Sequence, residues 1–296
     1  MSSINDWLSE QRLIVDRVLD ANLPAADTPP SVIHEAMRYA VLGGGKRIRP
    51  ILAIAAAQAC GASGDESLVS IAALELIHTY SLVHDDLPAL DNDDLRRGRQ
   101  TTHVVFGEAM AILTGDALLT EAFSWLARPV EGVDPAHQLR AVREVAVAVD
   151  SQGMIGGQVA DIIATGMNEA TAEQLDFIHR NKTGKLLTAS VVLGGLLANA
   201  AAEQIEALRR YGSAIGLAFQ IVDDLLDQEE DAATLGKTAG KDLSQGKLTY
   251  PALFGTDAAR TAVDALLAEA VRNAAMIGGP VNYLAGIARF ICERRS

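Results

Sequence analysis

The chain reads as all-α on three observations. Apolar residues recur at intervals of three and four along nearly all of its 296 residues, the pattern of amphipathic or buried helices. No Val/Ile/Thr-rich run bounded by turns occurs, and no Asn-Gly or Asp-Gly pair joins two alternating runs, so strands and hairpins are not expected. Hydrophobic residues make up 49% but aromatics only 4%, so the core is built mostly from Ala, Leu, Ile and Val, which suit close-packed helices.

The elements follow in chain order, separated by breakers. Helices are expected over Ile4 to Leu19 and Ser31 to Leu42, parted by Leu23-Pro24 and Pro29-Pro30. Gly43-Gly44-Gly45 precedes a helix over Pro50 to Ala59, and Gly61 to Gly64 precedes one over Asp65 to Leu87. Glu108 to Ala127 ends at Arg128-Pro129. Ala136 to Thr165 is interrupted by Gly153, Gly156 and Gly157, so it should kink or fall into two pieces. Thr171 to Ala201, Glu203 to Gln228, Thr256 to Ala275 and Val281 to Arg294 complete the set, with Gly278-Gly279-Pro280 between the last two. No low-complexity linker divides the chain, so residues 1–296 are expected to form one all-α domain.

Charge and cysteine content exclude several function classes. Asp plus Glu number 38 against 25 Lys plus Arg, a balance of −13 that argues against nucleic acid or anionic lipid as a partner. Two cysteines cannot build a disulfide framework or a four-thiolate metal site, and a reducing cytoplasm is expected. Met1 to Glu10 lacks a basic stretch followed by an apolar run, so no secretory signal is expected. The longest uncharged run, Leu186 to Ala202, is seventeen residues and rich in Ala and Gly, which fits a buried core helix better than a membrane span.

Two acidic clusters carry the chemistry. The first runs His84-Asp85-Asp86-Leu87-Pro88-Ala89-Leu90-Asp91, then Asp93-Asp94-Leu95-Arg96-Arg97-Gly98. The second is Phe219-Gln220-Ile221-Val222-Asp223-Asp224-Leu225-Leu226-Asp227. Each ends a long apolar helix, where the helix dipole is itself negative, so basic side chains or a hard cation should compensate. Gly212, Gly216, Gln220, Asp223 and Asp227 share one helix face, and the glycines let a neighbouring helix come close. His78, Ser81 and Asp85 share another. Asp91 would lie about 240° from Asp85 in an unbroken helix, but Pro88 disfavours helix at Leu87 and a loop can bring Asp91 back. Carboxylate oxygens with open water positions suit Mg²⁺, whose shell substrate phosphates complete.

Cations alternate with these carboxylates. Gly44-Gly45-Lys46-Arg47-Ile48-Arg49-Pro50 combines backbone donors, a helix start and positive side chains, an anion site without Walker spacing. Arg96-Arg97 follows the first cluster, Asn181-Lys182-Thr183-Gly184-Lys185 opens an apolar segment, and Lys237, Lys241 and Lys247 follow the second cluster in a Gly-rich stretch. Together they describe a site for more than one polyanion.

These motifs resemble the trans-isoprenyl diphosphate synthases, and most closely the bacterial farnesyl diphosphate synthases. The landmarks span residues 43 to 254 and both flanking segments, essentially the whole chain. The resemblance implies an isoprenoid-synthase fold, a bundle of about ten or more mostly antiparallel helices around a central active-site cavity, usually as a homodimer. It implies that an allylic diphosphate, dimethylallyl or geranyl, loses diphosphate and is attacked by isopentenyl diphosphate. It also implies Mg²⁺, about three ions with bound diphosphate, or Mn²⁺ in its place.

Carried over residue by residue, the resemblance makes Asp85, Asp91 and Asp223 the main metal ligands, with Asp86 and Asp227 in support. Arg96, Lys182, Lys237 and Lys247 would grip the allylic diphosphate, and Lys46, Arg49, His78 and Arg97 the isopentenyl diphosphate. Thr183 and Gln220 would stand beside the developing cation, with Gln158 and Asp161 behind them. Arg294-Arg295 resembles a basic tail over the isopentenyl site, or is simply a flexible terminus. Tyr80 matches the bulky aromatic on the cavity floor that limits products to fifteen carbons, although it could equally be core. His84 reads as a packed or capping histidine. A twenty-carbon product, a terpene cyclase and a non-catalytic partner subunit remain as rivals. The cyclase is disfavoured because the second motif is Asp-rich, and the subunit because neither motif lacks its carboxylates.

Overall fold

Helices supply nearly all regular structure in the computed structural model, which describes residues 3–62, 65–165, 171–234, 249–279 and 281–294, the side chains of 229–234 excepted. The chain forms two compact units, one of residues 1–54 and 63–142, the other of 55–62 and 143–296.

In the first unit, α1 (Ile4–Asn22) starts at a capping box: Ser3 Oγ accepts from Asp6 N at 3.2 Å, and Asp6 Oδ2 accepts from Ser3 N at 3.2 Å. α2 (Ser31–Val41) and α3 (Ile48–Ala59), whose residues from 55 on belong to the other unit, flank the glycine turn. α4 (Leu68–Asp85) is buried on every side from Ser70 to Ile77, as a helix apolar all round must be. It packs along α6 (Glu108–Leu126), whose Trp125 is fully buried.

α4 is shorter than the expected Asp65 to Leu87. It ends at Asp85, and the chain doubles back ahead of Asp91: Asp91 N donates to Asp85 O at 2.8 Å and Asn92 N to Leu87 O at 3.1 Å. The loop that Pro88 was expected to impose is therefore present. A hairpin, which the turn chemistry did not predict, follows. β1 (Leu95–Arg96) pairs antiparallel with β2 (Arg99–Gln100), Arg96 opposite Arg99. Its two-residue turn needs positive φ at both central residues, supplied by Arg97 at 53° and Gly98 at 73°. A short helix, α5 (Thr102–Phe106), also not anticipated, leads into α6.

In the second part of the chain the expected span Ala136 to Thr165 falls into α7 (Pro135–Val149) and α8 (Met154–Thr165), separated by a turn at 150–153. The expected helix Thr171 to Ala201 is not continuous: α9 (Ala172–Ile178) passes through a π-helical segment, His179–Gly184, into α10 (Lys185–Leu197). α11 (Ala202–Thr234), α12 (Tyr250–Phe254), α13 (Thr256–Ile277) and α14 (Leu284–Glu293) follow.

α10 is the expected buried helix, with every residue from Leu186 to Leu197 buried except Thr188, which is half-buried. No helix among the described residues is long and apolar enough to cross a membrane. α11 meets the π segment and α10 backbone to backbone. A Cβ on Gly216 would lie 2.7 Å from Gly184 Cα, and one on Gly212 would lie 2.6 Å from Thr188 Cα. On its other side Leu217, Ile221, Val222 and Leu225 pack on Ala259 and Val263 of α13. Truncating one such buried leucine to alanine costs about 2–5 kcal/mol.

Candidate active site

The first carboxylate cluster sits where α4 gives way to its loop. Asp85 is half-buried, Asp86 buried and Asp91 exposed. Asp86 is engaged by Arg96 from the hairpin: Nε lies 2.8 and 3.1 Å from its two oxygens and Nη2 2.7 Å from Oδ1. Burial pushes the Asp86 carboxyl above its ordinary range despite that guanidinium. The chain thus joins two expected site residues to each other, Asp86 from the metal set and Arg96 from the diphosphate set.

Around His78 the first unit gathers positive charge. Burial, and then Arg49, Arg97, Arg96 and Arg47 in that order, hold its imidazole well below the ordinary histidine range, so the ring is neutral. Arg47 is the structural member of this group. Its side chain is 2% exposed; it bonds Asp16 Oδ1, Glu75 Oε1 and Val41 O, each at 2.8 Å, and so anchors the glycine turn. Arg97 donates to the carbonyl of Gly44 in that turn. Lys46 is exposed and Arg49 half-buried beside it. Arg99, not singled out by the motifs, stacks 4.4 Å from the Tyr39 ring centroid and joins Arg96 and Arg97 in lining a cleft.

Tyr80 is 5% exposed, its hydroxyl has no hydrogen-bond partner, and burial, then Asp85, pushes its pKa up to about 12. The His84 ring meets it edge-on at 5.9 Å, and His84 Nε2 lies 3.0 Å from Ile112 O on α6. His84 is a packed histidine, as its sequence position suggested.

The second cluster lies on α11. Thr183 Oγ1 donates to Gln220 Oε1 at 2.8 Å, so its oxygen lone pairs stay available to a positive neighbour. Lys182 Nζ bonds Asp161 Oδ2 at 2.6 Å, and Gln158 Oε1, one turn earlier on α8, is buried without a partner. A Cβ on Gly157 would meet Lys182 backbone Cα at 2.6 Å, so this glycine lets α8 touch the π segment that carries Lys182 and Thr183. Asp223 is half-buried and paired with Arg294, and Asp227 is exposed.

Two residues here were missed. Asp224 is buried, accepts from Tyr250 N at 2.7 Å, and lies 3.4 Å from His179 Nε2. Burial raises Asp224 to about 7 and lowers His179 to about 4, so it disfavours the charged form of both partners. The signal was legible: Asp224 interrupts the apolar stripe of Leu217, Ile221 and Leu225, and a carboxyl there needs an internal partner. Lys237, Lys247 and Arg295 lie outside the described residues.

The donors fit Mg²⁺. In the first unit Asp85 and Asp91, and in the second Asp223 and Asp227, offer only hard carboxylate oxygens, and the loop returns Asp91 to the backbone of Asp85. Among the described residues no three His, Cys, Asp or Glu side chains converge as a ready-made cage.

The chain is similar to known proteins in sequence and in fold. A family model described as polyprenyl synthetase matches residues 30–279. The chain is 46% identical over 254 residues to the chloroplastic geranylgeranyl pyrophosphate synthase of Capsicum annuum, covering 86% of this chain and 68% of that protein. It is 48% identical over 261 residues to the chloroplastic heterodimeric geranylgeranyl pyrophosphate synthase large subunit 1 of Arabidopsis thaliana, covering 87% and 70%. The solved structure of an FPP/GFPP synthase from Zymomonas mobilis matches with a TM-score of 0.87 and 34% identity over 98% of both chains.

Proposed function

The chain belongs to the polyprenyl synthetase family and is a prenyltransferase with the all-α isoprenoid-synthase fold, and from that premise we propose that it condenses isopentenyl diphosphate with dimethylallyl or geranyl diphosphate, releasing diphosphate. Residues 1–296 act as one catalytic domain. The observation that carries this reading is the gathering of cations in the first unit, where Arg47, Arg49, Arg96 and Arg97 act on His78 and Arg97 reaches the glycine turn at Gly44. A terpene cyclase handles one diphosphate, carried by its metal ions; a chain-elongating enzyme needs a second anion site, and Lys46, Arg49, His78 and Arg97 supply it.

Bound at Asp85, Asp91, Asp223 and Asp227, with Asp86 behind them, Mg²⁺ would neutralise the charge that grows on the departing diphosphate. Arg96, Lys182, Lys237 and Lys247 hold the allylic diphosphate and share that task as fixed cations, most effective where water is excluded. His78, uncharged, donates or accepts a hydrogen bond without needing to titrate. The Thr183 oxygen and the Gln220 amide direct dipoles at the allylic carbon as it becomes positive. The adduct then loses a proton to the released diphosphate.

Farnesyl diphosphate is the product this reading favours, with Tyr80 of α4, five residues before Asp85, as the floor of the prenyl pocket. The twenty-carbon product is the second reading, favoured by the names of the Capsicum and Arabidopsis relatives. Exposed Ile112 and Leu113 on α6, and Ile155, Val159, Ile162 and Ile163 on α8, support a homodimer; the Arabidopsis relative is named as a heterodimer subunit. The cytoplasm is the compartment this reading assigns, on a chain with only two cysteines.

One assay tests the whole. The pure chain is incubated with Mg²⁺, isopentenyl diphosphate and each allylic starter, and products are separated by chain length. A fifteen-carbon product is expected, extending to twenty in Tyr80→Ala. Unchanged length in that variant removes Tyr80 from the floor. Diphosphate release without isopentenyl incorporation would mean a cyclase, and no release a partner subunit.

A further inference from the structure

Arg294 leaves the last turn of α14 in extended backbone (φ −62°, ψ 146°), and its side chain is only 9% exposed. Its guanidinium carbon stands 4.2 Å from the Phe219 ring centroid. Nη2 donates to the Phe219 carbonyl at 3.2 Å and to Asp223 Oδ1. A ring, a carbonyl and a carboxylate from one turn of α11 therefore seat one cation, which a loose basic terminus does not achieve. The resemblance assigns this tail to isopentenyl diphosphate. The contact found is with a carboxylate of the second acidic cluster.

We propose that Arg294 is an internal competitor of the divalent cation at Asp223. The inference rests on the reading of Asp223 as a metal ligand and goes beyond it. α11 runs on to Thr234, so the second cluster lies within the helix and not at its end as its sequence suggested; without metal diphosphate, the guanidinium neutralises a half-exposed carboxylate there. When the cation arrives, Arg294 either leaves Asp223 or stays and repels it. Both routes weaken cation binding in the native chain, and both make removal of the guanidinium strengthen it. The C-terminus thereby sets how much divalent cation the enzyme needs before diphosphate can be held there.

The test titrates Mn²⁺, followed by the electron paramagnetic resonance of the free ion, into full-length protein saturated with inorganic diphosphate. Arg294→Ala is expected to lower the midpoint about three- to tenfold, the range of a partly buried ion pair. Arg294→Lys, which keeps the charge but not the flat stack on Phe219, falls between, and is the variant to read if Arg294→Ala does not fold. Arg294→Ala combined with Asp223→Asn should match Asp223→Asn alone. If Asp223→Asn weakens binding while neither Arg294 variant lowers the midpoint, the competitor idea is wrong and the metal assignment stands. If Asp223→Asn titrates like the native chain, the assignment of Asp223 fails and the proposal goes with it.

Discussion

The two acidic clusters look alike in sequence and differ in how they are neutralised. In the first, Arg96 reaches Asp86 from ten residues away, through a hairpin, with a forked contact to a carboxyl that is 5% exposed. In the second, Arg294 reaches Asp223 from 71 residues away, with one nitrogen, on a carboxyl that is 34% exposed. A local, forked, buried pair forms with the fold around it and is costly to open. A long-range pair at a half-exposed carboxyl is cheap to exchange for another cation. Equal motifs thus have unequal roles at rest: one partner is built in, the other is a placeholder.

Removing the proposed ligands should affect both clusters most and equally. Asp85→Asn and Asp223→Asn are each expected to lower kcat on the order of 10³-fold, as loss of charge stabilisation in a transition state does. Steady-state kinetics at saturating Mg²⁺ check this, and a tenfold or smaller effect at either position breaks the symmetry.

Stability should separate the clusters where activity does not. Arg96→Ala strands the buried Asp86 carboxyl and should destabilise the fold by about 2–3 kcal/mol. Arg294→Ala should cost about 1 kcal/mol or less. Urea denaturation of the metal-free proteins distinguishes them, and similar costs would erase the contrast.

Acid should separate them again. His78 is held below the ordinary histidine pKa, so as pH falls through about 6.5 the unfolded chain takes up a proton that the folded chain refuses, and stability drops. His78→Gln should flatten that decline in melting curves between pH 7 and pH 5, by about 1–2 kcal/mol at the acid end. The second unit has an offset that His78 lacks. His179, lowered to about 4, loses stability toward acid, while Asp224, raised to about 7, gains it over nearly the same window. Replacing both by Gln and Asn should leave the pH slope nearly as it was.

The smallest effect belongs to Tyr80→Phe. It deletes a buried hydroxyl without a partner and should raise stability by about 1 kcal/mol. A lower melting temperature would mean that the hydroxyl has a role in the folded chain.

Most helices were legible because their apolar period is unambiguous and glycine or proline marks their ends, α4 and α10 most clearly. Pro88 even foretold the return of Asp91. The hairpin at Leu95–Gln100 was not legible, because its turn places an arginine where Asn or Asp is usual. Arg97 tolerates that backbone while its guanidinium is held at Gly44, a contact no local pattern encodes. The acidic and basic motifs identified the candidate residues but not their pairing. Asp86 with Arg96, Lys182 with Asp161 and Arg294 with Asp223 are tertiary facts.

The π segment at His179–Gly184 holds one residue more per turn than the helices it joins. That surplus dials the faces of α9 and α10 by about 100° relative to a continuous helix. Deleting a single residue there would let one uninterrupted and locally more regular rod form from Ala172 to Leu197. It would also swing Lys182 and Thr183 off their present bearings toward Asp161 and Gln220. A shortened chain that melts later yet turns over nothing would be the signature of an irregularity kept for its aim.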